Sequence, residues 1–127
     1  RHAISELSIY SFGVEMATKE EISMTGFEIV AYAGDAQTDL FSALECAQKG
    51  DFKRAEELHE SAKQALIAAH DVQTRLLSQE AGGSEMDVTF IMVHAQDTLM
   101  TTMLLERQTK IAIDMYARLN ELEHSKR

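Results

Sequence analysis

Proline, glycine and cysteine are scarce in this chain of 127 residues, and their scarcity limits its fold and its location. There is no proline and there are only six glycines, so the composition favours long, uninterrupted helices. The single cysteine, Cys46, cannot form an internal disulfide, which suits a reducing compartment. We expect Cys46 to be a small core residue and the protein to be cytoplasmic.

Basic residues and long hydrophobic runs are also few. Twelve Lys and Arg stand against 21 Asp and Glu, and the formal net charge is −9. This charge argues against nucleic acid or an anionic membrane surface as a partner. No apolar run approaches the roughly 18 residues that a membrane span needs, and no signal peptide is visible. The 45% hydrophobic content is enough for the core of one domain.

Cap signals and apolar periodicity divide the chain into three helices. Residues 18–21 (TKEE) form a capping box that predicts a first helix ending near Lys49, and Gly50 with Asp51 predicts a stop followed by a new N-terminus. A second break at residues 81–84 (AGGS) ends the second helix, and Ser84 with Asp87 resembles a weaker capping box that predicts a third helix running to about Glu123. The expected buried positions are Phe27, Val30, Ala33, Leu40, Phe41, Leu44 and Ala47 in the first helix, and Ala55, Leu58, Ala62, Leu66, Ala69, Val72 and Leu76 in the second.

The short links predict an all-α fold, an antiparallel three-helix bundle over residues 18–127. Residues 1–17 show no helical stripe, and Met16 is a candidate natural start. We therefore expect residues 1–17 to be an N-terminal extension, derived from an expression vector if Met16 is the true start.

The third helix carries polar residues inside an apolar pattern. His94 and Asp97 lie three residues apart and so share a helix face, Thr98 joins them, and Gln96 points almost the opposite way. Burying such groups costs several kcal/mol unless they are hydrogen-bonded or neutralised. The residues alone leave three interpretations of His94: a satisfied core histidine, a metal ligand or a phosphoryl acceptor.

Four segments, in order, resemble one known family. They are residues 25–36 (TGFEIVAYAGDA), 50–52 (GDF), 69–74 (AHDVQT) and 94–101 (HAQDTLMT). Over roughly residues 22–120 the chain is similar to the enzyme IIA component of the lactose/cellobiose (chitobiose) class of the bacterial sugar phosphotransferase system. The resemblance implies that His94 accepts a phosphoryl group from the phosphocarrier HPr. It also implies transfer to a cysteine of the cognate enzyme IIB, during uptake of a lactose- or cellobiose-type disaccharide.

The chain departs from this family at two positions. Thr98 stands where the family usually has a second histidine, and Ala68 where it usually has a glutamate, so a hydroxyl is expected beside the phosphoryl acceptor. His70 belongs to a matching motif, and a packing role is as plausible as a place in the site. Because Gln96 points away from its own His94, we expect it to reach the phosphoryl group of a neighbouring subunit.

Two stripes on the third helix predict self-association through that helix. One stripe follows the spacing of a coiled coil, and a second flanks it, so the helix is expected to be buried on more than one face. The first comprises His94, Asp97, Thr101, Leu104, Gln108, Ile111 and Met115, and the second Ile91, Ala95, Thr98, Thr102, Leu105, Thr109, Ala112 and Tyr116.

The resemblance implies that the assembly is a homotrimer. Three copies of Asp97 would then converge near the axis, where they must share protons or bind a cation. An oxygen-bound divalent ion such as Mg²⁺ fits this chemistry, and the resemblance implies a similar axial metal.

Two other functions are alternatives to the phosphocarrier. Glu56-x-x-His59 and Glu121-x-x-His124 have the spacing of four-helix di-iron proteins, but they lie off the apolar stripe or in the charged tail and are better interpreted as solvated charge. An oligomeric helical scaffold or adaptor without catalysis is the stronger alternative. It explains the stripes of the third helix but not the polar pair that interrupts one of them.

Overall fold

The computed structural model describes residues 18–125 and has three helices. They are α1 (Lys19–Gln48), α2 (Phe52–Ala81) and α3 (Phe90–Ser125), and each packs against both of the others. The predicted three-helix bundle is confirmed. The expected extension at residues 1–17 lies outside the described residues. Within residues 18–125, none of the helices combines the length and apolar content needed to cross a membrane.

The junction of α1 and α2 follows the cap signals in the sequence. Thr18 and Glu21 form the predicted capping box at the start of α1. At the other end, Gly50 adopts φ +84°, and the Asp51 N–H donates to the Cys46 carbonyl at 2.9 Å, as in a Schellman motif. The Asp51 carboxylate then accepts from the Arg54 N–H at 3.2 Å, so the chain reverses in three residues.

The start of α3 differs from the prediction, which placed it at Ser84. The Ser84 N–H donates to the Gln79 carbonyl at 3.1 Å and so completes the C-terminal cap of α2, with Gly83 at φ +100°. The chain needs further residues to turn before a new helix can begin. The cap is instead Thr89, whose hydroxyl accepts from the Met92 N–H at 3.2 Å. Helix α3 therefore begins at Phe90, five residues later than a cap at Ser84 predicts.

Small side chains on α1 allow close packing of the three helices. The eight buried positions of α1 alternate in spacing by three and four and are mostly Ala or Gly: Ile22, Gly26, Ile29, Ala33, Ala36, Leu40, Ala43 and Ala47. A Cβ at Gly26 would lie 3.4 Å from the Ile91 backbone, so α1 and α3 approach closely there. The prediction that Phe27 and Phe41 are core residues was wrong, because they are 55% and 57% exposed.

The two stripes of α3 have different environments in the protomer. The second stripe faces the bundle, where Ala95, Thr102 and Thr109 are buried and its other members are half-buried. The first stripe is exposed along its whole length. The three helices therefore form a core of their own and leave the first stripe of α3, with Leu104, Ile111 and Met115, uncovered in the protomer.

Candidate functional site

His94 is the fifth residue of α3 and lies on the exposed face of the helix. The Thr89 cap, with the Val93 N–H donating to the Thr89 carbonyl at 3.1 Å, fixes the first turn and hence the direction of the Cα–Cβ bond of His94. In a helix this bond tilts toward the N-terminus, which for α3 is the end at Phe90. His94 is thus accessible to another molecule from the protomer surface.

Asp97 lies one turn beyond His94 on the same exposed face. Within the described residues its carboxylate accepts no hydrogen bond and joins no ion pair. Its backbone carbonyl, by contrast, accepts a bond from the Thr101 hydroxyl at 2.9 Å. The structure therefore brings His94 and Asp97 together as the spacing predicted, and both are solvated in the protomer.

Thr98 does not present a free hydroxyl donor to the imidazole. Its Oγ1 donates to the backbone carbonyl of His94 at 2.7 Å, and the side chain is half-buried. The hydroxyl hydrogen is therefore committed to the helix backbone. At this position the side chain supports the turn that carries His94.

Gln96 lies on the side of α3 that faces α2. It is half-buried, and its Nε2 has only a weak acceptor, the Met92 sulfur at 3.8 Å. With Gln73 and Leu76 it lines a cavity of about 250 Å³ within its own protomer. The contribution of Gln96 to the site of a neighbouring subunit stays a prediction.

His70 is not part of the His94 surface. It is exposed on α2, with its Nδ1 3.4 Å from the Thr74 hydroxyl, and it lines a cleft of about 280 Å³ together with Met103 and Arg107 of α3. Met103 is nine residues beyond His94, which is about 14 Å along the helix. His70 is therefore distant from the proposed phosphoryl acceptor of its own protomer.

The two Glu-x-x-His motifs do not form metal sites in the part of the chain that the structure describes, where no group of three metal-ligating side chains occurs. The interpretation of His59 as solvated was wrong. Its side chain is 9% exposed, with Nε2 3.8 Å from Glu106 Oε1 and without a hydrogen-bond partner there. Glu56 is exposed as expected and accepts from Lys110 Nζ at 3.1 Å. His124 is also exposed, with its Nδ1 2.7 Å from the Asn120 carbonyl.

Sequence reasoning missed an apolar surface at the same end of the bundle as His94. Met24, Phe27, Val88, Phe90 and Val93 are between 53% and 91% exposed, and we call them the His94 patch. The contact of Gly26 with Ile91 places the α1 members beside the first turn of α3. A signal was present in the sequence, because Ile22, Gly26, Ile29 and Ala33 follow a three-and-four spacing that leaves Phe27 outside it.

Comparison with known proteins identifies the family. Residues 24–117 match the family described as "PTS system, Lactose/Cellobiose specific IIA subunit". The chain belongs to this family. It is 64% identical over 109 residues to the lactose-specific EIIA component of Lacticaseibacillus casei, covering 86% of this chain and 97% of that protein. It is 47% identical over 100 residues to the Streptococcus mutans lactose-specific EIIA component, covering 79% and 96% of the two chains.

Solved structures of related IIA proteins share the fold. The cellobiose-specific enzyme IIA from Bacillus anthracis superposes with a TM-score of 0.77 at 31% identity, covering 84% of this chain and 95% of that one. The chitobiose IIA of Escherichia coli, solved in complex with HPr, gives a TM-score of 0.69 at 33% identity, covering 79% and 97%. The chain is thus a IIA component of the phosphotransferase system, a class of phosphoryl-transfer proteins.

Proposed function

We propose that this IIA protein carries a phosphoryl group on His94, between phospho-HPr and a cysteine of its cognate enzyme IIB. The observation that carries the proposal is an exposed histidine at the head of α3, within the family's matched segment. The 64% identity to a lactose-specific relative favours lactose over a cellobiose-type sugar. A role in phosphoryl transfer between HPr and enzyme IIB also agrees with the expected cytoplasmic location.

The chemistry requires an unprotonated ring nitrogen and an open approach. The lone pair of the neutral imidazole attacks the phosphorus of the donor phosphohistidine, the donor P–N bond breaks, and the donor imidazole leaves with the electron pair. In the second transfer the thiolate of enzyme IIB attacks the same phosphorus, and the bond to His94 breaks. Such transfers need chiefly positioning and charge stabilisation from the protein.

HPr is the proposed donor, and the His94 patch is its proposed docking surface. The solved complex of a structural relative pairs a IIA protein with HPr. The exposed apolar side chains beside His94 provide the kind of surface that a protein partner covers. Because the patch lies next to the reacting histidine, docking would also exclude water from the phosphoryl group.

We further propose that the protein is a homotrimer assembled through the exposed stripe of α3. The large apolar members of the stripe, Leu104, Ile111 and Met115, are 57–59% exposed in the protomer. Leu119 and Leu122 continue the three-and-four spacing beyond Met115 and are 50% and 60% exposed. An exposed row of large apolar residues at this spacing is typical of a helix that packs against copies of itself. His94 and Asp97 would then lie together at the N-terminal end of the subunit contact.

In such a trimer, the three copies of Asp97 would be the metal ligands. The chemistry of the donor set fits, because carboxylate oxygens are the ligands that Mg²⁺ prefers and the Asp97 carboxylate is unengaged within the described protomer. The ion would neutralise charge near the phosphoryl group. Metal analysis of the purified trimer checks this proposal: about one ion per trimer is expected in the wild type, and none in Asp97→Asn.

Intact-mass analysis after incubation with phosphoenolpyruvate, enzyme I and HPr tests the function. We expect one acid-labile phosphoryl group per chain in the wild type and none in His94→Ala, with His124→Ala as the control for an exposed histidine elsewhere. The His94→Ala variant should remain folded and trimeric. A folded wild type that gains no phosphoryl group would favour the scaffold, which would retain its partner regardless of His94.

A further inference from the structure

A chain of polar side chains connects α1 to the turn of α3 that carries His94. Gln37, half-buried on α1, donates from Nε2 to the Thr102 hydroxyl at 2.8 Å. Thr102 is 1% exposed, and its hydroxyl donates to the Thr98 carbonyl at 2.6 Å. The Thr98 hydroxyl in turn donates to the His94 carbonyl at 2.7 Å. We call Gln37, Thr102 and Thr98 the threonine relay.

The location of the relay makes it more than an ordinary packing contact. The buried face of α1 is mostly apolar, and within residues 18–125 two side-chain hydrogen bonds join α1 to α3: Gln37 to Thr102, and Gln48 Nε2 to the Tyr116 hydroxyl at 2.9 Å. A hydrogen bond is directional and weakens steeply when its geometry is lost. Of the two, the bond of the Gln37 amide is the nearer to the site, and it adds a directional contact between α1 and α3 two turns from His94.

The relay also acts on the helix backbone itself. A threonine that donates to the carbonyl four residues earlier adds a second bond to that carbonyl and tends to bend the helix. Two such bonds follow one another along the relay, on the carbonyls of His94 and Thr98. The direction of the Cα–Cβ bond of His94 thus depends on the local geometry that these hydroxyls impose.

We propose that Gln37 and Thr102 are positioning residues for His94, acting through Thr98. They touch neither the imidazole nor the phosphoryl group. They hold the His94 turn of α3 in one orientation, so that the imidazole presents a single rotamer to the incoming donor. The inference rests on the proposed function of His94, because positioning matters only where the imidazole reacts.

Two near-isosteric substitutions interrupt the relay at different bonds. Thr102→Val removes the hydroxyl that joins Gln37 to Thr98, whereas Thr102→Ser retains it. Gln37→Met removes the amide donor and leaves the Thr102 bond to Thr98 in place. Thr38→Val is the matched control, because the Thr38 hydroxyl makes the same kind of bond, to the Gly34 carbonyl at 3.2 Å, outside the relay.

Two measurements are made on each folded variant. The first is steady-state phosphoryl transfer from phospho-HPr, where we expect Thr102→Val and Gln37→Met to lower kcat roughly tenfold with little change in KM. The second is the set of three-bond NMR couplings that report χ1 of His94. These should show one dominant rotamer in the wild type and averaged rotamers in both relay variants. Thr102→Ser should restore both readouts, and Thr38→Val should leave both unchanged.

The two readouts separate this inference from the proposed function. If the wild type is not phosphorylated, the proposed function fails, and the rotamer couplings still decide whether the relay orients His94. Unchanged couplings in the relay variants would overturn the inference, even if kcat falls. A decrease of the same size in Thr38→Val would also overturn it, because the effect would then be general helix destabilisation. Gln37→Met provides the test if Thr102→Val does not fold.

Discussion

The exposed stripe of α3 leads to a quantitative prediction for Ile111→Lys. Complete burial of an isoleucine side chain is worth about 1.5–3 kcal/mol. Since Ile111 is 59% exposed in the protomer, assembly can still gain about 1–2 kcal/mol per subunit, or about 3–5 kcal/mol over three copies. Lysine forfeits this gain and brings three positive charges together. At about 1.4 kcal/mol per factor of ten, the association constant should fall at least about 100-fold.

Sedimentation velocity at micromolar protein concentration measures the effect. We expect the wild type to sediment as a trimer and Ile111→Lys to sediment largely as a monomer, with helical content unchanged in both. Ala31→Lys is the control, because Ala31 is exposed on α1 away from the stripe and should leave the trimer intact. A fully trimeric Ile111→Lys variant would refute the assignment of the stripe as the subunit interface.

Three further predictions concern the protomer. Leu99 is fully buried, so Leu99→Ala should lower the free energy of unfolding by about 2–5 kcal/mol in urea denaturation. Gly50→Ala should destabilise the protein by about 1 kcal/mol, because Gly50 has a φ of +84°. Gly34→Ala should instead stabilise it by up to about 1 kcal/mol, because Gly34 lies within a helix and an added Cβ would meet open space. Thermal unfolding of the two variants measures both effects. Hydrogen bonds to Glu56 and then Asp114 raise the pKa of Lys110 above 10.5, so these pairs stabilise below that pH and lose their effect as pH rises through the raised pKa. Because the groups are about half-exposed, Lys110→Met should cost less than about 1 kcal/mol at pH 7, and the difference from wild type in unfolding curves should shrink as pH rises through the raised pKa of Lys110.

Helix ends were predictable where one local signal determined them. The capping box at Thr18 and the Gly50–Asp51 pair fixed three helix ends within about a residue, since each signal satisfies the backbone groups beside it. Ser84 misled because its side chain is a good N-cap while its backbone N–H is already used by the preceding helix. A rule based on side-chain type takes no account of the hydrogen bond that the Ser84 N–H already donates to α2.

Buried faces were harder to predict than helix ends. Size and hydrophobicity favoured Phe27 and Phe41 as core residues of α1, but the bundle buries Gly26, Ala36 and Ala43 instead. Close approach of three helices requires small side chains at the contact, so the larger apolar residues are left outside. Similarly, His59 was assigned to solvent because its neighbours are charged, although its own position follows the buried spacing of α2.

The polar pair of α3 shows how the site and the assembly are connected. In the sequence, the apolar pattern around His94 and Asp97 predicts that both are buried, and burying these polar groups costs free energy. In the protomer both are exposed, so their cost arises only if α3 is covered by other subunits. His94 can stay accessible while the rest of the stripe is buried between subunits, because His94 lies at the N-terminal end of the stripe. There it is close to the His94 patch and away from the middle of α3. The same helix can then provide the subunit contact along most of its length and phosphoryl transfer at its first turns, which is why its pattern could not be assigned to either role alone.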